Sequence, residues 1–155
     1  MRELIESVEG NFHQYSNLLR KIWDNPNLSD MNQHSPHLNE LLKTLADIQD
    51  EVIDFRLKKI ISEEHPYLPQ IQIDKLKQNG PHSKQPLRQV VEYFLQQRRS
   101  LVKLLNALPE ENWERTGVHE VEGHVSFKEL VRRMIEKDRK ILSELSQVLT
   151  QVPAS

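Results

Sequence analysis

At 155 residues the chain is long enough to bury its own core, and residues 1–155 read as a single domain. It has no cysteine, which excludes disulfides, thiolate nucleophiles and Cys-ligated zinc or iron–sulfur centres. The formal charge of −2 comes from acidic and basic residues that are interspersed, so no basic face is offered to nucleic acid, and four glycines leave no Gly-rich phosphate loop.

Met1 is followed by Arg2, Glu3 and Glu6 without an apolar segment, and no apolar run approaches a membrane span. The expected setting is therefore cytoplasmic, with no membrane partner. Leu4, Ile5, Val8, Phe12, Tyr15, Leu18, Leu19 and Ile22 recur at helical spacing and predict a first helix over residues 2–23, stopped by Asn25-Pro26. Residues 24–35 are polar and aperiodic.

Ser35-Pro36 opens a second helix, with serine as N-cap and proline at the first helical position, where its missing amide costs nothing. Its stripe runs from Leu38 through Leu45 and Val52 to Ile60, ending near Ser62. Thr44 shares the face of Leu41 and Ile48, where a bundle would usually place leucine. Prolines 66, 69 and 81, with Asn79-Gly80, make residues 63–82 a long crossover, with Tyr67, Leu68, Ile71 and Ile73 expected along the flank. A third helix is predicted over residues 85–107, followed by a proline-capped turn at 109–113. The following segment has two glycines, Gly117 and Gly123, and alternating Val118, Val121 and Val125, which predicts a short hairpin or loose loop.

The last helix has a marked start. Ser126 and Glu129 have capping-box spacing, and Val125 and Leu130 sit where a hydrophobic staple would close. Phe127, Leu130, Met134, Ile141, Leu145 and Val148 form its apolar stripe, and Lys137 falls inside that stripe. The residues alone thus predict an all-α four-helix bundle, with a long crossover between helices 2 and 3 and a hairpin-like segment before helix 4.

Several stretches in succession resemble the DinB-like superfamily, which includes the YfiT-type proteins. They are Leu45-Ala46-Asp47-Ile48 and Phe55-Arg56, Glu64-His65-Pro66-Tyr67-Leu68-Pro69, Leu108 to Trp113, and Arg115 to His119 with Gly123. The likeness spans roughly residues 35–146. It implies an up-down-down-up bundle, frequent homodimers, and a divalent-metal site of three histidines. At the positions corresponding to those histidines this chain has Thr44, Lys137 and Ile141. Threonine is a poor ligand, isoleucine has no donor atom, and an ammonium repels a cation. The expectation is a degenerate site with no metal and no cofactor. His34 and His37 straddle a loop and a helix start, His119 and His124 sit in the hairpin, and His65 and His82 have no partner in sequence.

Lys137 then has two readings. Inside a bundle it needs a carboxylate, with Glu40, Asp47 and Glu51 as candidates and Asp138 next door; otherwise its amine reaches out of the bundle end. Functionally, a surviving cleft lined by Thr44, Lys137 and Ile141, with Tyr15, Tyr67 or Trp113 nearby, would suit an anionic small molecule in a non-catalytic binding or interaction module. The alternative implied by the resemblance is a metal- and thiol-dependent transferase or hydrolase of the DinB/YfiT type. The resemblance makes a homodimer the expected assembly, and apolar flanks such as Leu42, Val91 and Leu142 are the candidates to pair.

Overall fold

Helical periodicity becomes helix almost everywhere in the computed structural model, which describes residues 1–24 and 36–150. The chain begins with α1 (Arg2–Asp24). Then α2 (Pro36–Gln49) runs on through a π-helical stretch, Asp50–Leu57, into α3 (Lys58–Ser62). The crossover holds β1 (Tyr67–Leu68) and a short α4 (Ile73–Asn79). After it come α5 (Leu87–Ala107), a 3-10 turn at Glu110–Glu114, β2 (Thr116–His119), β3 (Gly123–Ser126) and α6 (Phe127–Thr150). Among the described residues no helix is long and apolar enough to cross a membrane.

The hairpin expected before the last helix is present, and it is larger than its valines suggested. β2 and β3 pair antiparallel, with Val118 opposite His124 and His119 opposite Gly123, so the two histidines do not face each other. β1 adds a parallel third strand against β2. Two residues are too few to show a period, which is why the sequence placed Tyr67 and Leu68 only as flank. Leu68 is fully buried against Gly117, where a Cβ would come within 2.6 Å of its Cδ1, whereas Tyr67 is exposed.

α1 packs on α5 and α6, and α2 packs on α5 and α4. Their apolar faces form two clusters. One holds Val8, Leu57, Ile60, Leu101, Trp113 and Phe127, and the other holds Tyr15, Leu19, Leu45, Phe94, Leu142 and Leu145. Along each helix a polar residue separates the two: Asn11, Gln49, Arg98 and Asp138, all buried. Arg98 and Asp138 form a two-pronged ion pair, Nη1 to Oδ2 at 2.6 Å and Nη2 to Oδ1 at 2.8 Å. The Tyr15 hydroxyl donates to Asp138 Oδ1 at 2.9 Å, and the guanidinium lies over the Tyr15 and Phe94 rings. Burial works against the Arg98 charge, and the adjacent carboxylate more than restores it.

This layer corrects the expected α6 stripe. Phe127, Leu130, Met134, Ile141 and Leu145 are buried as expected, and Val131, Ile135, Asp138, Leu142 and Leu149 are buried with them, whereas Val148 is half-buried and Lys137 is exposed at the edge. A seven-residue count drifts about 20° per heptad against a 3.6-residue helix, so counting from Met134 to Ile141 put Lys137 on the stripe when Asp138 holds it. Leu42, Val91 and Leu142 are also buried within the chain and furnish no face for a second copy.

At the start of α6, half of the capping box forms. The Glu129 amide donates to Ser126 Oγ at 3.0 Å, while the Glu129 carboxylate turns to Arg132 and Arg133. Arg133 in turn holds Glu122 of the hairpin through two 2.7 Å hydrogen bonds. Hydrogen bonding from Arg132 is the main cause that holds the Glu129 carboxyl down at about 2. A depressed carboxyl contributes stability that is present above its unfolded value, near about 4.3, and lost as pH falls through the folded one. Acid unfolding followed by circular dichroism should therefore show a stability loss between about pH 4.3 and pH 2 that Glu129→Gln flattens. An unchanged acid limb in that variant would show that the contacts contribute nothing.

Candidate functional site

α2 packs closely on α4 and α5 and less closely on α6, and a groove runs between α2 and α6. The crossover lies over it and contributes Ile71, Ile73 and Lys77. The groove has two lobes that share Ile48, Ile73 and Lys137. The larger, about 270 Å³, is lined among others by Thr44, Leu45, Lys77 and Ile141, and the smaller, about 150 Å³, by Gln49, Val52, Arg56, Arg133 and Met134. Val52 and Arg56 come from the π-helical stretch, a wider turn that is frequent at functional sites.

The floor is apolar and the rim is cationic. Arg56 donates to the Pro69 carbonyl at 2.8 Å, and Arg133 is engaged by Glu122 and Glu129. Lys77 and Lys137 are exposed and form no ion pair among the described residues. One carboxylate, Glu40, shares the wall of the larger lobe. Gln49 is 2% exposed, and its Oε1 has no hydrogen-bond partner among the described residues.

The three positions singled out in sequence, Thr44, Lys137 and Ile141, thus line one lobe. Thr44 and Ile141 are buried and Lys137 is exposed. Of the carboxylates considered for Lys137, Glu40 stands on the same wall and Glu51 is exposed off it. Asp47 turns to His82, and Asp138 belongs to Arg98. Tyr15, Tyr67 and Trp113 are on the wall of neither lobe: Tyr15 is spent on Asp138, Trp113 is buried against Phe127, and Tyr67 faces solvent. A hydroxyl, an ammonium and an alkyl group are no donor set for a divalent ion.

The remaining histidines divide. His34 and the His37 side chain lie outside the described residues. His119 Nδ1 accepts the amides of Val121 and Glu122 and so closes the hairpin turn. His65 and His124 meet edge to face at the surface, beside Thr116. His82 has partners that sequence reasoning missed. Asp47 Oδ1 accepts its backbone amide at 3.0 Å, Asp50 Oδ2 lies 2.9 Å from Nε2, and Gln85 Oε1 lies 2.7 Å from Nδ1. Burial opposes a charge on the ring, yet Gln85, Asp50 and Asp47 hold the imidazole above its ordinary value. Burial pushes the Asp47 carboxyl up. The available signal was Asp47 and Asp50 at i, i+3 on one helical face; the histidine is 32 residues beyond Asp50, out of reach of local pattern.

The sequence profile of the DinB superfamily matches residues 12–140, most of the chain. This chain belongs to the DinB superfamily. No curated protein and no solved structure matches it. Within the superfamily's mostly helical fold, the groove between α2 and α6 is where Thr44, Lys137 and Ile141 converge.

Proposed function

We propose that this DinB-superfamily protein is an up-down-down-up four-helix bundle whose groove binds a small anionic molecule with an apolar body, in place of the family's metal chemistry. The observation that carries this reading is the pair of lysines, Lys77 and Lys137, at the rim of an apolar lobe and free of carboxylate partners among the described residues. A carboxylate or phosphate head would be met by two ammonium groups, while Leu45, Ile48, Ile73 and Ile141 receive the apolar part. The lobe volumes suit a molecule of modest size. The transferase or hydrolase reading finds no metal ligands at the family's own three positions, since the side chains of Thr44, Lys137 and Ile141 do not fit the metal it requires.

Thermal shift in EDTA-treated buffer tests the proposal, using four- to eight-carbon carboxylic acids against their neutral amides. Acids should raise the melting temperature and amides should not. Lys77→Met with Lys137→Met should weaken the best acid by roughly tenfold or more, the scale of a lost charge-assisted hydrogen bond. Equal shifts from acids and amides, or an unaltered response in the double variant, would refute it.

A further inference from the structure

We propose a divalent transition-metal site at Asp47, Asp50 and His82, on the side of α2 that faces α5 and away from the groove. Each residue offers one ligand atom, and the three atoms lie within 4.8 Å of one another. His82 Nε2 stands 2.9 Å from Asp50 Oδ2 and 4.0 Å from Asp47 Oδ1. Bonds of about 2.0–2.2 Å from an ion to nitrogen and oxygen ligands need small side-chain adjustments from these positions.

The surroundings are those of a built site. Gln85 Oε1 accepts from Nδ1, which leaves Nε2 directed at the two carboxylates. Asp50 Oδ1 is held by the Tyr93 hydroxyl at 2.6 Å and by Gln97 Nε2 at 2.9 Å, so its other oxygen is oriented toward His82. A separate observation is that Asp47 is 2% exposed and its Oδ2 has no hydrogen-bond partner among the described residues. Two carboxylates beside a single imidazole are incompletely neutralised by a proton on Nε2, and a divalent ion in that place balances both. One nitrogen and two oxygen ligands suit zinc, cobalt, manganese or ferrous iron. Tyr93 and Asp50 are partly exposed, so the ion and its water ligands have an entry path.

Full-length protein stripped with EDTA and then freed of chelator should bind one equivalent of Zn²⁺ in calorimetry. With Co²⁺ it should develop visible d–d absorption. Asp50→Asn and His82→Gln should each lower affinity by at least tenfold, and Tyr93→Phe should lower it less. His34→Gln with His37→Gln should leave it unchanged. Asp50→Asn is nearly isosteric and carries the test if His82→Gln does not fold by circular dichroism. Absence of saturable Zn²⁺ and Co²⁺ binding at micromolar concentrations overturns the proposal, as does binding that survives both ligand substitutions. The groove's response to acids is measured in EDTA, so the two proposals fail independently.

Discussion

Asp138→Ala should lower unfolding stability by about 3–5 kcal/mol, because it leaves the wholly buried Arg98 guanidinium without its counter-charge. Tyr15 would also lose the acceptor for its hydroxyl. Domain stabilities are about 5–15 kcal/mol, so this one carboxylate decides a large share of the total. In a domain of this size the melting temperature should fall by roughly 10 °C. The effect is one of stranding a charge, and the pair itself need not be strongly stabilising. Tyr15→Phe, Arg98→Met and Asp138→Leu together remove every polar group of the cluster and should be near neutral, or more stable than wild type. Urea unfolding of the single and triple variants checks both halves. A triple variant as unstable as Asp138→Ala would show that the loss comes from misfit packing.

The same residues show where local pattern stops carrying information. The bounds of α1 and α6 follow from apolar period and from the signals at Asn25-Pro26 and Ser126, and the structure agrees within a residue or two. Arg98 continues the spacing of Phe94, Leu101 and Leu105, yet a long cation on a helix is normally at the surface, so its type concealed its place. Asp138 was legible only as a neighbour of Lys137, since its true partner is 40 residues away on another helix. The groove was half legible. Thr44 and Ile141 could be placed from their own helices, whereas Lys77 joins them only because the crossover folds back over α2. The His82 cluster was hidden for the same reason.

That fold-back depends on a close approach at Gly80, where substitution tests it. Gly80 has φ −62° and ψ 151°, a conformation open to any residue, so its requirement is for space alone. A Cβ would collide with Asp47 Oδ2 and come within 2.6 Å of the Leu76 carbonyl oxygen. Gly80→Ala should therefore cost about 1–3 kcal/mol, the usual range for overpacking. It should also weaken the thermal response to acids, because α4 ends at Asn79 and carries Ile73 and Lys77 to the groove. Asp47→Ala alone removes the acceptor that pins the His82 amide. Combined with Gly80→Ala it also removes the colliding oxygen, so the double variant should lose measurably less than the sum of the two singles. Additive losses in chemical denaturation would place the cost at the Leu76 carbonyl and separate the hold on the crossover from Asp47.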